Sequence, residues 1–386
     1  MYKLRPYQQE ASDAAVAFFE SSTKINAIEV LPTGSGKSLI IADIASRLQG
    51  NTLVFQPSKE ILQQNFAKLC SYGILDCAIY SASFNSKRIS RITFATIGSV
   101  IRHVDQFKHF NNIIIDECHN VNAKDGMYEK FIRETECKVL GLTATPYRLS
   151  TSSYGAMLKF ITRTRPRIFT KVIYQVQIKT LLSMGFLADL DYWYLPAPQW
   201  NERNLMSNST GADYTDKSVL AEYHRVDFYG WLVSIVKRLL TPKGRKRNGI
   251  LVFTRFLHEA ERLMRDIEGC VMVSGETAKS EREDILEEFK RGNIKVVVNV
   301  GVLTTGFDYP ELDTIVMARP TKSLSLWYQI VGRAIRPSPK KDKGWIVDLC
   351  GNLNRFGKVH ELELKESKPN MWEVTSNGRQ LTNTVF

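Results

Sequence analysis

Two groups of side chains in this sequence have the types and spacing to move a phosphoryl group. The first is Thr33-Gly34-Ser35-Gly36-Lys37-Ser38, set between a short apolar run (Ala27, Ile28, Val30, Leu31) and a helix-like segment, Ser38 to Leu48. Gly34 and Gly36 let the backbone bend tightly and turn N–H groups toward a phosphate at the helix N-terminus. Thr33 and Ser35 complete that turn. Lys37 supplies a point charge for the β- and γ-phosphates, and the Ser38 hydroxyl can join a Mg²⁺ shell. The usual pattern has a glycine six residues before the lysine, where this chain has Leu31. The second group, Asp116-Glu117, closes the apolar run Ile113-Ile114-Ile115. Asp116 is the expected Mg²⁺ ligand, directly or through water. Glu117 is expected to orient and deprotonate the water that attacks the γ-phosphate. Together they predict a nucleoside triphosphatase.

These groups need a scaffold, and the rest of the chain predicts one. Its 386 residues suggest two or three domains, and its 44% hydrophobic and 24% charged content is ordinary for a globular protein. The apolar runs are strand-sized, too short to span a membrane, and Met1 to Pro6 lacks a signal-peptide core. Six scattered cysteines form no Cys-x-x-Cys pair and read as reduced thiols, so a cytoplasmic setting is expected. A net charge of +12 points to a polyanionic partner. Between Ser150 and Ile250, 15 Lys/Arg face 7 Asp/Glu. They gather at Lys159, Arg163, Arg165, Arg167 and Lys171, then at Lys237, Arg238, Lys243, Arg245, Lys246 and Arg247. Nucleic acid suits such clusters, since phosphate neutralisation needs them.

Strand and helix patterns alternate twice. The first strand series is 27–31, 52–56, 92–96, 112–116 and 139–142, with helices at 59–72 and 123–136. The second is 249–254, 271–274, 295–300, 314–318 and 345–349, with helices at 257–267 and 280–291. Near-continuous apolar strands alternating with helices imply parallel sheets covered on both faces. The expected α/β architecture is two doubly wound domains, 1–148 and 230–352. A basic, aromatic-rich connector spans 149–229, and a polar, partly disordered tail spans 353–386.

With these motifs in order, the chain resembles a superfamily 2 helicase motor of the DEAD/DEAH-box-like kind, with two RecA-like domains. Pro-Thr-Gly-Ser-Gly-Lys-Ser is similar to the phosphate loop of such motors. Leu4-Arg5-Pro6-Tyr7-Gln8-Gln9-Glu10 resembles the opening motif, in which Gln8, with Arg5 beside it, would read adenine and so select ATP. Residues 55–60 and 94–100 resemble strand-gripping motifs, and Leu142-Thr143-Ala144-Thr145-Pro146 the coupling motif. Residues 251–255, 299–308 and 328–337 resemble the fourth, fifth and sixth motifs. The phrases Asp-Glu-Cys-His, Leu-Thr-Thr-Gly-Phe-Asp and Gln-Ile-Val-Gly-Arg are most similar to the RadD-like (YejH) group of DNA-repair helicases. Members of that group carry a cysteine-rich C-terminal region that this sequence does not show, so partner binding attributed to that region is not carried over. A cellular and a phage or mobile-element origin both stay open.

The resemblance implies ATP in a cleft between the two domains. Arg333 and Arg336, three apart and on one face if helical, would act there as arginine fingers. Gln329 would sense the γ-phosphate, and Gly306 and Asp308 would line the cleft. Lys59, Thr96, Ser99, Arg255, Ser274, Thr304 and Thr305 would hold DNA phosphates without reading sequence. The expectation is an ATP-dependent DNA helicase or translocase of repair, recombination or replication, acting on single-stranded, forked or branched DNA. An RNA helicase and a non-unwinding ATP-switched clamp share the same motifs. Tyr192, Trp193, Tyr194 and Trp200 suit base stacking or the packing of a small accessory domain. Asp348 followed by Glu363-Leu364-Lys365 looks nuclease-like, but a capping role at a strand end suits Asp348 better.

Overall fold

The computed structural model describes residues 3–152, 155–241, 247, 249–303 and 309–384. The chain forms two compact units. One comprises Met1–Arg148, Lys159–Gln177 and Leu364–Glu373; the other comprises Leu149–Leu158, Ile178–Glu363 and Val374–Phe386.

The first unit begins with α1 (Pro6–Glu20), β1 (Ala27–Val30), α2 (Lys37–Arg47), β2 (Thr52–Phe55), α3 (Lys59–Cys70) and β3 (Cys77–Ser81). It continues with β4 (Ser86–Lys87), β5 (Ile92–Ala95), α4 (Ile97–Val100), β6 (Asn112–Asp116), α5 (Met127–Thr135) and β7 (Lys138–Thr143). The short strands β8 (Tyr147–Ser152) and β9 (Gly155–Phe160) precede β10 (Lys171–Gln175). One sheet runs β10-β1-β7-β6-β2-β5-β3-β4, and only the β3–β4 pairing is antiparallel. The strands β1, β2, β5 and β6 are buried along their whole length, which is why they are mostly apolar without alternation, Glu29 of β1 being an exception. Pro6 fits the first turn of α1, where its missing N–H costs nothing. Tyr7, Ala11, Ala15 and Phe18 then bury one stripe of that helix.

The second unit contains α6 (Ile178–Ser183), β11 (Asp189–Tyr194), α7 (Asp216–Arg225), α8 (Phe228–Leu240), β12 (Ile250–Thr254) and α9 (Leu257–Asp266). Then come β13 (Cys270–Val273), α10 (Lys279–Arg291), β14 (Val296–Val300), β15 (Thr314–Ala318), α11 (Leu324–Val331), β16 (Lys343–Asp348) and α12 (Asn352–Phe356). Its sheet, β11-β16-β15-β12-β14-β13, is parallel throughout. The α8 stripe Phe228, Leu232, Ile235, Val236 and Leu239 packs into its core. There Tyr223 stacks on Phe228 at 4.0 Å and donates its hydroxyl proton to the Ala318 carbonyl, 2.8 Å away.

The expected connector 149–229 is not a body of its own. Lys159–Gln177 joins the first unit and Ile178 onward joins the second. The reason is backbone pairing: β10 extends along β1, and β11 along β16, so each satisfies a sheet edge that would otherwise lie open. The expected disordered tail instead carries β17 (Leu362–Lys368), β18 (Met371–Ser376) and β19 (Arg379–Gln380), with Thr375 paired to Gln380 across a tight turn.

Candidate active site

The phosphate loop leaves the sheet beside β7, where the Leu31 N–H donates to the Thr143 carbonyl at 2.9 Å. Gly34 and Gly36 adopt φ of 83° and 82°, the left-handed region that suits glycine. A Cβ on Gly36 would lie 2.5 Å from Gln8 Nε2, so a larger residue there would displace that amide. The Ser35 carbonyl accepts from both Tyr7 Oη (2.7 Å) and Gln8 Nε2 (2.8 Å), while Gln8 Oε1 accepts from the Arg5 N–H at 2.9 Å. The Gln8 amide thus keeps one N–H and one lone pair for a purine edge. Ser35 is 1% exposed, and its buried Oγ has no partner among the described residues. Buried hydroxyls are normally paired, so a phosphate oxygen suits this one. Thr33 and Ser38 are half-buried around the same turn.

Facing the loop within the same sheet, β6 ends in the acidic pair. Glu117 takes φ 50° and ψ 48°, a strained conformation for a residue with a side chain. Lys37 Nζ lies 3.4 Å from Glu117 Oε1, and His119 Nδ1 lies 3.2 Å from Oε2. Burial opposes the Glu117 charge, but Lys37 and His119 outweigh it and hold the carboxyl below its ordinary range. Asp116 goes the other way. Burial first, and the neighbouring Glu117 charge second, push its proton affinity up. Asp116 Oδ1 accepts from the Glu117 N–H (2.9 Å) and Oδ2 from Asn65 Nδ2 (3.3 Å), and Asn65 also donates to Gln56 Oε1 (2.9 Å). Asp116 and Ser38 are the hard oxygen donors Mg²⁺ prefers, and a cation would restore the charge that burial penalises.

His119 was not singled out from sequence, and it ties the site together. It is 8% exposed, and its Nδ1 lies 2.9 Å from Thr143 Oγ1, which accepts from the Thr145 N–H at 3.0 Å. A chain of contacts therefore runs Lys37–Glu117–His119–Thr143–Thr145. Asn65 and Tyr7 were also missed. The only sequence signal was the placement of His119 two residues after Glu117, on the same tight turn.

In the second unit, α11 ends at Val331, so Arg333 and Arg336 are not on a shared helix face as expected. They follow the helix in turns, with the Arg333 N–H still bonded to the Ile330 carbonyl at 3.1 Å. Arg333 is 8% exposed, and burial pushes Arg336 down to about 10. Gln329 lies on the last turn of α11, half-buried. The expected Gly306, Asp308, Thr304 and Thr305 lie outside the described residues.

The expected strand contacts divide. Lys59, Thr96 and Ser99 all belong to the first unit, and Thr96 and Ser99 touch each other. Lys59 Nζ sits 4.6 Å from the Phe84 ring centroid, Thr96 Oγ1 and Ser99 Oγ are 2.9 Å apart, and Ser99 Oγ accepts from the Ala82 N–H. Arg255 is employed otherwise. Its guanidinium reaches Asp216 (2.8 Å), Asp213 (3.2 Å) and the Tyr214 carbonyl (2.7 Å), pinning the segment before α7. Ser274 is buried and closes a turn, its hydroxyl accepting from the Glu276 N–H and its own N–H donating to Thr277 Oγ1. Asp348 is fully buried and accepts from the Cys350 and Leu353 N–H groups and from Asn352 Nδ2. It is a cap, not a nuclease ligand.

Fold and site define a phosphate-loop ATPase built on two RecA-like sheets. Residues 1–148 match the family described as "Type III restriction enzyme, res subunit", and residues 231–338 match "Helicase conserved C-terminal domain". The chain belongs to superfamily 2 of the helicases, a class of ATP hydrolases. It is 27% identical over 380 residues to "Putative ATP-dependent helicase IRC3" of Saccharomyces cerevisiae, covering 90% of this chain and 51% of that protein. It is 25% identical over 354 residues to "DNA 3'-5' helicase XPB" of Mycobacterium tuberculosis, covering 89% and 59%. The chain thus spans little more than half of these relatives. Among solved structures, "ATP-dependent Type ISP restriction-modification enzyme LlaBIII bound to DNA" shares the fold, with TM-score 0.65, 20% identity, and coverage of 90% of this chain and 27% of that one. No helix among the described residues is long and apolar enough to cross a membrane.

Proposed function

We propose that this protein is an ATP-dependent DNA helicase or translocase, functionally nearest to RadD-like repair helicases. The observation that carries the reading is the continuous contact chain from Lys37 through Glu117 and His119 to Thr143 and Thr145. It joins the phosphate loop, the acidic pair and the coupling motif, so loss of the γ-phosphate has a direct mechanical route into β7. DNA is favoured because XPB is named as a DNA helicase, while the +12 charge suits a nucleic-acid polymer in general. A cytoplasmic setting accords with six free cysteines.

The chemistry follows from the site. Backbone N–H groups of residues 34–38 and Lys37 hold the phosphates, and Gln8 with Arg5 holds the adenine edge. Glu117, kept anionic by Lys37 and His119, takes the proton of the attacking water. Ser38 and Asp116 would hold Mg²⁺, which supplies charge neutralisation at the phosphates. Arg333 and Arg336 are assigned to the charge that develops on the γ-phosphoryl oxygens, with Gln329 beside them. Gly306, Asp308, Thr304 and Thr305 keep the cleft and strand roles that the motif implies, and Lys59, Thr96 and Ser99 hold backbone phosphates.

The test is steady-state ATPase without polymer and with single-stranded DNA, duplex, forked DNA or RNA, with Lys37→Ala as the blank. Stimulation by a DNA form and a silent Lys37→Ala variant are expected. Stimulation by RNA alone would replace DNA as the substrate. Hydrolysis without strand separation or movement on any DNA would make the protein an ATP-switched clamp.

A further inference from the structure

The four aromatic residues that sequence reading grouped together have different surroundings, and one of them faces outward. Tyr192 is packed inside, 6.5 Å from the Trp327 ring and 5.6 Å from that of His360, and its Oη accepts from the Val359 N–H. Trp200 packs on Tyr223 and Phe228. Trp193, by contrast, is 45% exposed on β11, the edge strand of the second sheet. Because β11 and β16 run in register (Asp191 with Trp345, Trp193 with Val347), Trp193 and Trp345 project from the same face. Their rings stack at 5.6 Å with 29° between planes. The Arg247 guanidinium lies 3.4 Å from the Trp345 ring centroid.

These rings border a cavity of about 350 Å³ that Leu195, Leu239 and Arg238 also line. Leu195 is held by its carbonyl, which accepts from Trp231 Nε1 at 2.9 Å. The apolar walls, two indole rings and two guanidiniums match a nucleobase with its phosphate. Asp191, the nearest acid on the strand, is paired with Lys343 at 3.4 Å, while Arg238 brings positive charge to the cavity wall.

We infer that this pocket is an auxiliary single-stranded DNA site, in which one unstacked base packs on Trp193 while Arg238 faces the adjoining phosphate. The inference rests on the DNA reading above. Stacking accepts any base, so the site would anchor the strand without reading sequence. It would belong to the second unit, whereas Lys59, Thr96 and Ser99 belong to the first.

Fluorescence anisotropy with oligo-dT and with an abasic strand of equal length tests it on the whole protein. Trp193→Ala should weaken oligo-dT binding about 5- to 150-fold, the span expected for one lost stacking contact. It should leave abasic-strand affinity and polymer-free ATPase unchanged. Trp193→Phe should retain most of the affinity, and Arg238→Ala should lower the salt slope of binding by about one. Absence of DNA binding by the unaltered protein would remove the DNA reading and this site together. Normal binding that survives Trp193→Ala would overturn the site alone and leave the pocket to a peptide. Equal loss on both strands would also overturn it, because base stacking would not be the cause.

Discussion

Glu117 must stay anionic in a buried place to act as a base, and two neighbours make that possible. Glu117→Gln should lower kcat by about 10²- to 10⁴-fold, the range for losing a positioned base, while ATP binding measured by equilibrium titration persists. Near-normal turnover would remove Glu117 from the role. His119 acts through Glu117. With His119→Ala, an influence that lowers the Glu117 proton affinity is gone, so the acidic limb of the kcat profile should move to higher pH. An unchanged limb would make His119 a packing residue only. Lys37, Asp116 and Glu117 were legible because each lies within a local motif. The His119–Thr143 contact was not, because it spans 24 residues and exists only through the pairing of β6 with β7. The ion pairs of Arg255 were hidden for the same reason: its partners Asp213 and Asp216 lie about forty positions upstream.

At the scale of elements, the central strands could be read almost to the residue, since burial on both faces makes them apolar throughout. The strands β10 and β11 escaped because an edge strand keeps exposed positions, and Lys171 and Asp189 give it a mixed pattern. One central strand breaks its own rule. Glu29 on β1 is fully buried, its carboxylate oxygens have no partner among the described residues, and burial raises its proton affinity well above the ordinary value. A carboxyl raised in the folded state contributes its stability fully below the ordinary carboxylate range. That contribution is lost as pH rises toward the folded value, a tenfold affinity difference being about 1.4 kcal/mol. Urea unfolding at pH 5 and pH 8 should therefore show a smaller loss on raising pH for Glu29→Gln than for the unaltered chain. Equal losses would mean that Glu29 does not titrate across that window.

At the scale of the whole molecule, neither unit is a continuous stretch of chain. The family match to the first half stops at residue 148, yet β10, at 171–175, completes that sheet. Ala27, Ile28, Glu29 and Val30 pair with β7 on one side and with β10 on the other. A recombinant piece ending at 148 would expose the outer backbone of β1, a bare ribbon able to recruit its own kind. Light scattering should find 1–148 self-associating, whereas 1–177, which keeps its selvedge, should stay dispersed. A monodisperse 1–148 would show that β10 is dispensable to solubility. The place where the recognisable motif ends is thus a poor place to cut.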